Sequence, residues 1–270
     1  MIGVTYWEND SSLLESFVAD MVKFGIHFVE IRLELPDFHV SSFKLRHLKT
    51  LMNIKQTYGV EFSFHASIMD TNVASPNDRV REASFLTISK EIKNLSALGP
   101  VNLVVHAGKL VKQAQMLAGD SEKLLSLKEK IIQRFVQLGD EAEENQITLL
   151  IENSPPNSKK LPLIKSAEEH RNFLEQCNHP AIQAIVDVGH AMVAHGDIWK
   201  HLDCMKPWLK EIHLHNNNGI KDEHLGINRG KIDFMEIIAE FNGAIPIVLE
   251  IKDKNELFET LDAIKLQNVM

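Results

Sequence analysis

Charged and imidazole side chains recur at the ends of apolar, strand-like segments along the whole chain. That recurrence limits the possible folds more than any other feature of the sequence. Eight short apolar runs rich in β-branched residues are present: IGVTYW at 2–7, FVEIRLE at 28–34, EFSFHAS at 61–67, NLVVHAG at 102–108, TLLIEN at 148–153, QAIVDVGH at 183–190, EIHLHNN at 211–217 and PIVLEIK at 246–252. Between them the apolar residues change to helical spacing, as in Leu13, Leu14, Phe17, Val18 and Met21, with Gly25 as the stop signal. A second stripe follows Pro76 through Val80, Ala83, Leu86, Ile92 and Leu95, and a third runs through Leu124, Leu127, Ile131, Phe135 and Leu138. Alternating strands and helices imply a parallel sheet buried on both faces. Eight such repeats with no linker or composition shift predict closure into one α/β domain, a TIM (β/α)8 barrel over residues 1–270. The stretch SPPNSKKLP at 154–162 reads as a long loop after the fifth strand.

Six of the eight runs carry a metal-ligating residue near their ends: His65, His106, Glu152, Asp187, His215 and Glu250. In a barrel of this kind the C-terminal strand ends share one mouth. Carboxylates gathered there repel, each close pair costing roughly 4 kcal/mol at about 4 Å and an effective dielectric near 20. Bound cations remove that cost. Imidazole with carboxylate suits zinc, manganese, iron or cobalt, and the lack of thiolate spacing argues against iron–sulfur. In VDVGH, Asp187 and His190 are three apart across a glycine, so both reach one ion. In HLHNNNGIKDEH, His213 and His215 both face the barrel interior. His215, nearer the C-terminal end, is the expected ligand, with His213 a buried hydrogen-bonded residue one layer below. Asp222 and His224 follow in the loop.

Composition excludes several classes. The net charge of −8 carries no basic nucleic-acid footprint. No apolar run approaches the roughly 20 residues a membrane span needs, and MIGVTYWEND lacks a signal-peptide pattern. Two cysteines, Cys177 and Cys204, in no ligand spacing, fit a reducing, cytoplasmic location.

These motifs together resemble the xylose-isomerase-like barrels, a superfamily that includes sugar phosphate isomerases/epimerases and endonuclease IV. The resembling segments are FHAS with the following NVASPNDRVREAS, VVHAG, LLIEN, VDVGH, HLHNNNGIKDEHLGINRGKID and VLEIK. The resemblance implies that His65, His106, Glu152, Asp187, His190, His215, Asp222, His224 and Glu250 fill the positions of a trinuclear zinc site. In the isomerase branch, Glu152, Asp187, His215 and Glu250 would hold one ion, often manganese, while His190 contacts substrate. Two features depart from the endonuclease: Ile68 replaces its DNA-invading aromatic residue, and LELPDFHV lacks DNA-probing character. Asn228 replaces a glycine of the GxGxID pattern.

The favoured expectation is therefore an isomerase or epimerase of a small sugar or sugar phosphate. Glu152 and Glu250 would exchange the carbon-bound proton, and Lys109 and Lys252 would bind a phosphate or carboxylate. The alternative is a phosphoesterase with two or three zinc ions, acting on abasic DNA or a small phosphate ester. A non-catalytic sugar- or partner-binding barrel is least favoured, because it would have lost ligands.

Overall fold

The computed structural model describes residues 1–111, 121–156, 160–241 and 243–266. Its strands are β1 (Ile2–Tyr6), β2 (Phe28–Arg32), β3 (Glu61–His65), β4 (Val101–His106), β5 (Lys109–Val111), β6 (Ile147–Glu152), β7 (Lys160–Pro162), β8 (Ile182–Asp187), β9 (Leu209–Leu214) and β10 (Ile247–Leu249). Eight of them close a barrel in the order β1-β10-β9-β8-β6-β4-β3-β2. Every neighbouring pair is parallel. Each barrel strand falls within or against one of the eight apolar runs. The runs continue past the strands because their last residues leave the ladder and line the mouth.

The helices are α1 (Leu14–Lys23), α2 (Leu45–Tyr58), α3 (Asp78–Leu95), α4 (Ser121–Glu144), α5 (Ala167–Cys177), α6 (Val188–Val193), α7 (Ile198–Met205), α8 (Phe234–Phe241) and α9 (Lys254–Leu266). Their buried stripes, such as Leu14, Phe17, Val18 and Met21 of α1, cover the outer face of the strands. The stop signals act as expected: Gly25 has φ 84° just beyond α1. Asn77 caps α3, its side chain accepting from Arg79 N at 3.0 Å. Asn228 has φ 63°, so the residue replacing a glycine keeps the left-handed backbone that glycine would supply.

One expectation is corrected. The segment at 154–162 is not all loop: Leu161 pairs antiparallel with Leu110, joining β7 to β5 above the barrel. Residues 157–159 lie outside the described residues. No helix among the described residues is long and apolar enough to cross a membrane.

Alternation along the strands fixes what enters the barrel. Val104, Leu150 and Ile185, all fully buried, form a small apolar plug of their own. Two residues farther along the same strands come His106, Glu152 and Asp187. Interior layers thus change from apolar to imidazole and carboxylate within one step of the strand period.

Candidate metal centre

Four groups of potential ligands gather inside the barrel among the described residues. His65, His106 and Glu152 form the first. Glu152, Asp187, His213 and Glu250 form the second. His190, His215, Asp222 and His224 form the third. Glu30, Glu211 and His213 lie deeper. Within each, the ligand atoms are within 4.8 Å of one another.

Glu152 joins the first two groups. One oxygen lies 2.7 Å from His106 Nε2 and 3.3 Å from His65 Nε2; the other lies 3.2 Å from His213 Nδ1. Glu250 Oε2 is 3.6 Å from His213 Nδ1. In the third group, Asp222 lies 3.4 Å from His190 Nε2, 3.6 Å from His215 Nε2 and 3.3 Å from His224 Nε2. Asp222 Oδ1 is nevertheless buried with no hydrogen-bond partner. The ring nitrogens around it converge on a shared point without the geometry of N–H donation, an arrangement that suits a cation among them.

Backbone contacts orient the rings. His65 Nδ1 donates to Ala66 O at 2.8 Å, His190 Nδ1 to Asn153 O at 2.9 Å, and His224 Nδ1 to Glu250 O at 2.8 Å. A carbonyl can only accept, so these nitrogens carry a hydrogen and each Nε2 is the ring nitrogen left to face inward, where a cation displacing any proton on it would find a lone pair. Metal-binding histidines are oriented in the same way. Asn153 ties the ends of β6 and β8 together: its Nδ2 donates to Asp187 O, and its Oδ1 accepts from Asp187 N, both at 2.9 Å. Asp187 also caps α6, accepting from His190 N at 2.6 Å. Gly189 leaves room for the next strand, since a Cβ built there would overlap the His215 ring.

The electrostatics follow from burial and crowding. Burial pushes His106 down to about 4, so it is a neutral donor of a lone pair. Burial also opposes charging of His190, yet Asp187, Asp222 and Glu152 push it up to about 10. His213 is held well above its ordinary value against burial by Glu30, Glu250 and Glu152. Glu152 is held well below the usual carboxylate range, its burial outweighed by His106, His213 and His65. Protonated histidines thus balance the acids, and bound cations would take the place of those protons.

All the expected ligands therefore meet at one mouth: His65, His106, Glu152, Asp187, His190, His215, Asp222, His224 and Glu250. His213, expected as a buried hydrogen-bonded residue, is fully buried and bonded to Glu30, and it also groups with Glu152, Asp187 and Glu250, whereas His215 groups with His190, Asp222 and His224. Parallel pairing explains this, because His213 lies directly beside Asp187 in the ladder. Lys109 and Lys252 line the same cavity, of about 330 Å³. Sequence reasoning missed Glu30, which receives a hydrogen bond from His213 Nε2 at 2.9 Å, as well as Trp7 and Arg32 at the cavity wall. Strand parity from Thr5 and Glu30 could have found both wall residues.

A family model described as a xylose isomerase-like TIM barrel matches residues 18–267. The chain is 27% identical to an uncharacterized protein of Methanocaldococcus jannaschii over 228 residues, covering 83% of this chain and 74% of the other. The fold is similar to the crystal structure of a D-tagatose 3-epimerase-like protein, with TM-score 0.82, 24% identity, and coverage of 99% of this chain and 97% of that one. It is also similar to D-psicose 3-epimerase with D-tagatose from Clostridium cellulolyticum H10, with TM-score 0.75, 15% identity, and coverage of 99% and 98%.

Proposed function

The chain belongs to the xylose isomerase-like TIM barrel family, and on that footing we propose that it is a divalent-metal-dependent epimerase or isomerase of a small sugar. The carrying observation is the pair Glu152 and Glu250, two buried carboxylates that share one ligand group with Asp187 and His213 and line the same cavity. The epimerase names of the structural neighbours agree with this reading.

Glu152, Asp187, His213 and Glu250 would hold a zinc or manganese ion, which supplies Lewis-acid polarisation of a bound carbonyl. The chain's own residues do the rest. Glu152 and Glu250 face the substrate from separate strands, so one accepts the carbon-bound proton at a carboxylate oxygen and the other returns one from the opposite side. His190 Nε2, held by its Nδ1 contact to Asn153 O, is available to a substrate oxygen. Trp7, Ile68 and Met69 supply apolar surface to the cavity wall.

The experiment is incubation of the metal-loaded protein with a panel of ketohexoses in deuterium oxide. Carbon-bound deuterium in recovered sugar, detected by NMR, is the expected result; none across the panel would remove the proton-transfer reading. One observation favours a second reading. The ligand groups containing His65 and His106 and containing Asp222 and His224 exceed what one ion needs. Two or three zinc ions there would suit phosphoester hydrolysis, and nicking of abasic duplex DNA tests that chemistry.

A further inference from the structure

The cavity wall contains cations that the proposed proton transfer does not use. Trp7 follows β1, Arg32 ends β2 and Lys252 lies just beyond β10. These strands are three consecutive staves of the barrel, with β1 in the middle. The Arg32 guanidinium carbon lies 4.6 Å from the centre of the Trp7 ring, and Lys252 Nζ lies 5.1 Å from it. The indole therefore holds both cations, each attracted to its electron-rich ring. His224, from the third ligand group, meets the same ring edge-on at 5.2 Å. Among the described residues, neither Arg32 nor Lys252 pairs with a carboxylate, although the barrel mouth is crowded with acids. Strand parity runs from Glu30, inside the barrel, to Arg32, which lies beside His65 in the ladder, and from Glu250 to Lys252, so both cations border the ligand groups at the cavity wall. Trp7 Nε1 is buried without a hydrogen-bond partner.

We propose that Trp7, Arg32 and Lys252 form an anion subsite that binds a phosphate monoester or carboxylate on the end of the substrate remote from its reacting carbons. This deepens the epimerase reading and rests on it for the identity of the reacting end. Two cations on one cavity wall without a carboxylate partner favour an oxyanion within reach of both. Arg32 supplies the planar fork that matches a phosphate or carboxylate in two bonds, and Lys252 supplies a point charge. The indole supplies a flat apolar wall and a donor, Nε1. Placement at the wall of the cavity that Glu152 and Glu250 line leaves the sugar's carbonyl end to the metal and its charged end to these cations. Without such a group, a neutral sugar would leave both cations facing only water.

The test is calorimetric titration of the zinc-loaded or manganese-loaded full chain with D-fructose, D-fructose 6-phosphate, D-glucuronate and inorganic phosphate, repeated on the Arg32→Gln/Lys252→Gln double variant. The wild type is expected to bind D-fructose 6-phosphate about ten-fold or more tighter than D-fructose, with the ratio shrinking as salt rises. A matching preference for D-glucuronate would identify carboxylate as the anion in place of phosphate. In the double variant the ratio of charged to neutral affinity should fall to near one. If no sugar binds to any form, the epimerase reading fails, but inorganic phosphate still decides the subsite. Phosphate binding weakened about ten-fold in the double variant supports it. Equal phosphate binding by both proteins, or a wild type that does not distinguish charged from neutral sugar, overturns it. Circular dichroism of the double variant excludes misfolding as the cause, and Arg32→Lys, which keeps the charge, should restore part of the ratio.

Discussion

Replacing Glu91 by glutamine should make the protein more resistant to alkaline conditions. Glu91 lies on α3 with 1% of its surface exposed. One carboxylate oxygen accepts from Ser67 N at 3.1 Å and lies 2.7 Å from Ser67 Oγ; the other is buried with no partner. Burial pushes its pKa up from 4.5 to about 7, against those hydrogen bonds and with Glu34 adding to the rise. Between these two values the folded chain binds more protons than the unfolded chain, so stability falls as pH rises. The rise from 4.5 to about 7 corresponds to about 3 kcal/mol of stability, present below pH 4.5 and lost progressively as pH rises through 7. The glutamine variant has no such proton to lose. Measured by urea unfolding of metal-free protein at pH 5 and pH 8.5, the difference variant minus wild type should grow by about 2.5 kcal/mol. The consequence reaches the mouth, because Ser67 also bonds Leu33 O, and Glu34 holds the amides of Ile68 and Met69 at 2.6 and 3.2 Å. A difference that stays constant with pH, or grows in the wild type's favour, would refute the assignment of buried charge to Glu91.

Other perturbations separate the ligand groups. Glu152→Gln removes the carboxylate shared by two of them, so metal content by elemental analysis should fall and turnover should drop at least about 100-fold; wild-type values of both would remove Glu152 from the centre. Gly189→Ala should displace His215, destabilising the fold by about 1–3 kcal/mol and weakening metal binding in a chelator competition; an unchanged affinity would show that His215 does not depend on that close approach. Zinc uptake by the metal-free protein at pH 8 should release protons, since neighbouring carboxylates hold His190 near 10 and His213 well above its ordinary value. A pH indicator in weak buffer measures the release, and its absence would contradict this charge balance.

The barrel was legible because its strands are continuous apolar runs and its helices are striped, two periods that cannot be confused over eight repeats. The convergence of imidazoles and acids was legible because they interrupt apolar strands at their ends, where solvation alone does not explain them. The roles of His213 and His215 were not, because both point inward and the choice depends on how far β9 slides against β8. Register between strands distant in sequence leaves no local mark. The same holds for Trp7, Arg32 and Lys252, which are ordinary residues until three staves bring them to one ring. The pairing of β5 with β7 escaped notice because three-residue strands carry no measurable alternation.

Elemental analysis of protein purified without chelators, paired with the Asp187→Asn and His213→Gln variants, addresses the convergence of ligands most directly. Between one and three equivalents of zinc or manganese should accompany each wild-type chain, reduced in both variants. A wild-type chain that carries no divalent ion and takes none up on dialysis against zinc or manganese would contradict the account.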